Sequence, residues 1–235
     1  MGEHSPKPPA AQGSVQSGPI DAFLDKAKNV AASASRGRLI FALDATMSRQ
    51  PTWDMAQSIQ GEMFRTTAAQ GGLDVQLVYF RGFGECRASR FVSGGEGLGA
   101  LMSRIACRGG RTQIGKVLRH ALDESRAGRV GALVYIGDAM EERLDALAAT
   151  AGELGLLGVK AFMFHEGQDS VAQHAYREIA RLTGGAYAAF DATAPGRLAE
   201  LLAAAAAYAV GGRRELERRA EEGGDAARLL LSQIG

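Results

Sequence analysis

Apolar residues in this chain follow two alternating rhythms. Short continuous runs at Arg38 to Leu43, Asp74 to Phe80, Arg129 to Ile136, Val159 to Phe164 and Ala186 to Phe190 read as strands. Runs apolar on both faces suit central parallel strands. Helical spacing fills the intervals. Thr52 is placed to cap a helix carrying Trp53, Met55, Ile59 and Met63, which Gly71-Gly72 stops. Further helices are predicted over Glu96 to Ala106, after Thr112 (Ile114, Val117, Leu118, Ala121, Leu122), over Glu141 to Leu157, over Val171 to Leu182, and from Pro195 to about Val210. The run Ala203 to Ala207 reads as part of a close-packing helix, alanine being the best helix former. Cys86 to Val92 follows a glycine-rich turn and folds back as a hairpin partner, the one antiparallel strand, at an edge.

Strands alternating with helices predict a doubly wound, mostly parallel, Rossmann-like α/β sheet with helices on both faces. The same pattern divides the chain. Residues 1–18 are rich in Pro, Ser, Gln and Gly and read as a disordered tail. Residues 19–36 carry a helical pattern opened by Pro19, with Ile20, Phe23, Leu24, Ala27 and Val30 on one face. Residues 37–211 form the α/β domain, and 212–235 a charged helical tail broken at Gly223-Gly224. Leu229, Leu230, Leu231 and Ile234 in that tail need a surface to cover, and docking on their own domain is expected, since exposed apolar patches are uncommon.

Bulk properties narrow the function. The 235 residues carry a net charge of +1, with no basic run interleaved with aromatics, so neither nucleic acid nor an acidic membrane is indicated as a partner. No apolar run approaches the ~20 residues of a membrane span, and the N-terminus lacks a secretory h-region. A cytoplasmic protein is expected. The cysteines, Cys86 and Cys107, are too few for a disulfide framework and read as small buried thiols.

The candidate chemistry begins where the first strand ends. Leu39-Ile-Phe-Ala-Leu-Asp44-Ala-Thr46-Met-Ser48 runs from apolar strand into a loop with oxygen donors on alternate positions. Oxygen-rich sites of this kind suit a hard cation such as Mg²⁺. Following chain direction, Asp44, Thr46, Ser48, Thr112 and Asp138 all arrive at the carboxyl end of the sheet, where open α/β sheets bind ligands. There is no Cys/His set for zinc, and nothing supplies a general base beside a nucleophile.

At these residues the sequence resembles von Willebrand factor A (VWA) domains with a metal-ion-dependent adhesion site (MIDAS). Asp44-Ala-Thr46-Met-Ser48 is similar to that family's Asp-x-Ser/Thr-x-Ser motif. Thr112 in Gly109-Gly-Arg-Thr-Gln-Ile-Gly115, and Asp138 in Tyr135-Ile-Gly-Asp138, resemble its two later motifs. The resemblance implies a non-enzymatic, Mg²⁺-dependent protein-binding module, Mn²⁺ or Ca²⁺ being possible substitutes. Thr46, Ser48 and Thr112 would be ligands or nearly so, with Asp44 and Asp138 acting partly through water. The partner would offer an acidic Asp or Glu contact. Members of the family serve AAA ATPase machines or stress-response complexes. The chain departs from the pattern at Met47 and Arg49, and Arg49 sets a positive charge beside the ion.

Other readings of the same stretches are weaker. Gly110 to Val117 nearly matches a phosphate-binding P-loop, but a helix is expected before it and Val117 stands where a Mg²⁺-binding hydroxyl is needed. Asp44-Ala-Thr46 approaches the start of a haloacid-dehalogenase-like phosphatase but lacks its second Asp. A scaffold of the same fold without metal-dependent binding is the third alternative. Trp53 reads as a packing residue, Phe83 as either a rim anchor or a residue tucked under its own turn, His165 as a hydrogen-bonded bystander, and Glu141 and Glu142 as either groups that support the metal ligands or, in preference, acids in a helix's first turn.

Overall fold

The computed structural model describes Met1 and residues 36–67, 72–191 and 194–235. The tail and helix expected over 1–36 lie outside the described residues, apart from Met1 and Arg36. Six strands, β1 (Gly37–Asp44), β2 (Leu73–Arg81), β3 (Glu85–Val92), β4 (Ala132–Gly137), β5 (Lys160–Glu166) and β6 (Ala186–Phe190), form one sheet in the order β3-β2-β1-β4-β5-β6. All neighbours pair in parallel except β2 with β3. The expected edge hairpin is therefore present, and the fold is a VWA-like α/β sheet.

The helices are α1 (Gln50–Ile59), α2 (Gly61–Thr67), α3 (Gly95–Met102), α4 (Ile114–Ala127), α5 (Leu144–Leu156), α6 (Ser170–Thr183), α7 (Pro195–Glu221) and α8 (Asp225–Leu231). Alternation along β1 feeds two cores, one on each face of the sheet. Leu39, Phe41 and Leu43 pack with Trp53, Met63, Leu198, Leu201 and Leu202. Ile40 and Ala42 pack with Ile114, Val117, Leu118, Leu147 and Ile179. The alanine run of α7 lets that helix approach the sheet closely. A side chain added at Gly37 or Gly131 would lie only 2.7 or 2.6 Å from the Ala209 carbonyl oxygen.

Several helix ends differ from expectation, mostly through contacts with distant segments. A 3₁₀ turn, Met47–Arg49, precedes α1, so Thr52 falls inside the first turn rather than at the cap. The helix then breaks at Gln60-Gly61, where α3 brings Gly95 within 3.2 Å of the Gly61 Cα for an added Cβ. The α3 helix stops at Met102 instead of Ala106, and the Arg81 guanidinium takes the Ala106 carbonyl at 2.6 Å. The α5 helix starts at Leu144, not Glu141, because the glutamates before it serve another element.

The charged tail docks on its own domain, as expected. Helix α7 continues past Val210 through a break at Gly212, whose φ of 63° lies in the left-handed region that glycine tolerates. Leu216, Leu230 and Ile234 join the first core. Beyond α8 the Gln233 amide pairs with both the N–H and the C=O of Tyr187, each at 3.0 Å. This side chain occupies hydrogen-bonding groups of β6 that an open edge would offer to other chains.

Candidate functional site

Strand order explains why polar residues gather at one end. The chain leaves β1 toward β2 and β3 on one side, then returns to β4, β5 and β6 on the other. The crevice between β1 and β4 is thus the topological switch point, where loops leave in opposite directions and a ligand can enter. Leu43 pairs with Ile136, so Asp44 and Asp138 emerge from neighbouring strand ends.

Asp44 closes β1 and is buried. Its Oδ1 accepts the Thr46 N–H at 2.7 Å, folding the loop back over the strand end. Thr46 Oγ1 and Ser48 Oγ then lie 3.4 Å apart. Burial pushes the Asp44 carboxyl up to about 6, against the opposing hydrogen bonds from Thr46, and the Asp138 charge adds to the rise.

Thr112 arrives from an irregular segment, 103–113, that crosses this end of the sheet. Arg108 N–H donates to the Ala45 carbonyl at 2.9 Å and Arg111 N–H to the Gly82 carbonyl at 3.1 Å. Thr112 and Glu141 exchange two hydrogen bonds, Thr112 N–H to the carboxylate and Glu141 N–H to the Thr112 hydroxyl, both 3.0 Å. The neighbouring Glu142 carboxylate accepts the N–H groups of Ile114 and Gly115, capping α4 from a distant loop. Glu141 and Glu142 therefore do not sit in the first turn of their own helix. They fasten the Thr112 segment to the Asp138 loop.

The centre of the site holds a cation supplied by the chain itself. Arg49, with 13% of its side chain exposed, reaches Asp138 Oδ2 at 3.2 Å and also pairs with Glu166. Its Nη1 lies within ion-pair reach of Glu166 but off the line of a hydrogen bond, and Nε has no hydrogen-bond partner. Thr52 donates to the same Glu166 carboxylate. Glu166, at the carboxyl end of β5, is a member of the site that the sequence pattern does not single out. Its only signal is position, one residue past His165 on a strand that ends at this face.

Trp53 is buried and Phe83 is 85% exposed. His165 is fully buried, with Tyr187 Oη at 3.0 Å and the Asp138 carbonyl at 3.3 Å, and burial lowers its pKa. Cys107 is buried and its thiol is raised to about 11, mainly by desolvation. Cys86 is half-buried rather than buried. Lys116 gives its ammonium to the Gly84 carbonyl and the Gln113 amide, and Val117 is buried in the core. The segment before it is irregular, neither strand nor helix, so the frame of a P-loop does not form. Among the described residues no group of three or more His, Cys, Asp or Glu is arranged to hold a metal ion, so any cation here depends on the hydroxyls. Nor is any helix among them long and apolar enough to cross a membrane.

The fold has solved counterparts. It is similar to the SpRpn10 VWA domain at 12% identity and a TM-score of 0.54, covering 69% of this chain and 95% of that one. It is also similar to proximal thread matrix protein 1 from the mussel byssus, at 18% identity and a TM-score of 0.58, covering 73% of this chain and 48% of that one. The chain thus spans about half of the byssus protein, which has also been solved with a zinc-occupied MIDAS motif (16% identity, TM-score 0.55). At these identities the likeness is one of fold. No protein-family model matches the sequence, and no curated protein matches it.

Proposed function

We propose that this domain is a non-enzymatic, cytoplasmic protein-binding module whose switch-point crevice takes a divalent cation, Mg²⁺ by preference. Thr46, Ser48 and Thr112 are the hydroxyl donors, and Asp44 and Asp138 supply charge directly or through water. Bound there, the cation supplies an electrophilic position that an Asp or Glu of a partner protein can fill.

The observation that carries the reading is a demand for positive charge. Asp44, Asp138 and Glu166 converge on neighbouring strand ends, and the chain answers them with one guanidinium. Oxygen donors of the type a hard cation prefers stand beside that cluster, and the Thr46 and Ser48 hydroxyls are already close together. Arg49 is the residue that must yield, since it now covers Asp138. The Thr112 hydroxyl accepts the Glu141 N–H with one lone pair, which leaves its second lone pair available to a cation. The zinc-occupied site of the byssus protein supports a divalent cation on this fold. The committed Lys116 ammonium and buried Val117 speak against a nucleotide enzyme.

The test is a titration with Mg²⁺ and Mn²⁺ against EDTA, followed by thermal melting and by the fluorescence of Trp53, which lies just past the loop. Cation at ~100 times its Kd should stabilise the fold by about 2.7 kcal/mol through mass action. Asp44→Ala should abolish the effect. An unchanged melting point at millimolar Mg²⁺ and Mn²⁺ overturns the metal reading.

A further inference from the structure

We infer that the rim of this crevice is a docking surface for an acidic protein segment that also carries an apolar side chain. The inference rests on the reading that this end of the sheet binds proteins, and it names the chemistry of the partner.

Two loops on this end expose large apolar residues. Phe83, at the tip of the β2–β3 turn, is 85% exposed, and Met47, in the loop after β1, is 62% exposed. The 103–113 segment ties cations to both. Arg108 follows the backbone contact to Ala45, two residues before Met47. Arg111 is bonded through its N–H to Gly82, directly beside Phe83. The Gly110–Gly82 approach is so close that a Cβ at Gly110 would lie 2.2 Å from the Gly82 oxygen, which fixes this loop pair. Lys116 reaches the other neighbour of Phe83 through the Gly84 carbonyl at 2.7 Å. Arg111 and Lys116 thus adjoin the two chain neighbours of Phe83, and Arg108 adjoins Ala45, two residues before Met47.

Arg108 and Arg111 are exposed and form no ion pair among the described residues. Asp138 and Glu166 pair with Arg49 and Glu85 pairs with Arg81, while Glu141 and Glu142 accept backbone N–H groups. Two unpaired guanidinium groups therefore stand on the segment that adjoins the apolar anchors. Exposed aromatic and arginine side chains together mark the energetic centre of protein interfaces. A nucleic acid would want stacking platforms along a basic groove, and a membrane a denser polybasic cluster; this rim has neither. Carboxylates of a partner would meet Arg108 and Arg111 while its apolar side chain covers Phe83 and Met47.

The probe is a fluorescein-labelled peptide of repeated Glu-Asp-Leu units, read by fluorescence anisotropy on the full chain, with a Lys-Lys-Leu peptide, oligothymidylate and phosphatidylserine vesicles as comparators. Each is measured in EDTA and in Mg²⁺, for the wild type, Arg108→Glu/Arg111→Glu, Phe83→Ser and Asp44→Ala, with melting curves confirming that the variants fold. The wild type should bind the acidic peptide saturably and more weakly as salt rises. Arg108→Glu/Arg111→Glu and Phe83→Ser should each weaken binding by about tenfold or more, in EDTA as well as in Mg²⁺. Loss in those variants without any Mg²⁺ effect upholds the rim while the metal reading fails. Mg²⁺-dependent binding that Asp44→Ala abolishes but the rim variants leave intact does the reverse. No saturable peptide binding, or preference for oligothymidylate or vesicles, overturns the inference.

Discussion

Replacing Arg49 by methionine separates the effect of the guanidinium from that of the proposed divalent cation. Methionine keeps the bulk of the stem and removes the charge. It leaves Asp138 and Glu166, with side chains 26% and 11% exposed, facing each other without a counter-charge. Removing one partner of a fully buried ion pair costs ~3–5 kcal/mol. Solvent screens part of this at Asp138, so about 2–3 kcal/mol is expected here in EDTA. For a domain of this size that corresponds to a fall in Tm of roughly 4–12 °C. The opposite sign is expected for metal. Unit charges 4 Å apart interact by about 4 kcal/mol at an effective dielectric of 20. A guanidinium displaced toward solvent still opposes an incoming dication by about a third of that, so the variant should bind Mn²⁺ about 5–30-fold more tightly. Calorimetric melting in EDTA and isothermal titration with Mn²⁺ read the two effects separately. A variant that melts with the wild type in EDTA and binds Mn²⁺ no more tightly refutes the role given to Arg49.

Asp44 makes metal-free stability fall as pH rises. Its folded pKa, about 6, lies above the ordinary 3.8, so the folded state holds the extra proton between those values and loses that advantage as pH climbs through them. The shift corresponds to about 3 kcal/mol across pH 4–6, and chemical denaturation in EDTA should show it flattened in Asp44→Asn. Glu142→Ala removes the acceptor for two N–H groups at the start of α4 and should cost about 1–2 kcal/mol, whereas Glu142→Gln should recover part of the loss; equal melting of all three proteins defeats the capping role. Leu230→Ala opens a hole under α8, where the side chain is fully buried, and should cost about 2–5 kcal/mol in urea unfolding. A loss below ~1 kcal/mol there would mean that the tail is not part of the core.

Local signals were legible and distant ones were not. The apolar run of β1 carries its own strand assignment, and its alternate residues do feed the two cores. The tail leucines were readable as residues in need of cover, and Leu230 and Ile234 are covered. Helix ends were harder, because what stops them lies elsewhere in the chain. The helix α3 ends at Met102, and Arg81 holds the Ala106 carbonyl outside it; α5 begins late because Glu141 and Glu142 are spent on the Thr112 segment. Asp44, Thr46 and Ser48 could be found together because they share one loop. Glu166 could not, because its meeting with Arg49 depends on β4 and β5 being neighbours, and strand order is written in no single segment.

That missing glutamate changes the electrostatics of the site. With Asp138 alone, Arg49 would be a sufficient counter-charge and an argument against metal. With Glu166 added, the guanidinium is shared between two carboxylates and only partly offsets Asp44, whose carboxyl is driven upward by burial with Asp138 adding to the rise. Because Glu166 is also held by Thr52, it can keep Arg49 when Asp138 is released. On the proposed reading, a divalent cation would then take Asp138 and Asp44 without expelling the arginine from the protein. The guanidinium would remain on Glu166 beside the ion, adding positive potential to the position where a partner's carboxylate arrives. Arg49 in this view weakens the metal and strengthens the acid that follows it, so Arg49→Met should bind Mn²⁺ more tightly and the acidic peptide, in the presence of that metal, less tightly. A variant that gains in both would show that the arginine only blocks the site.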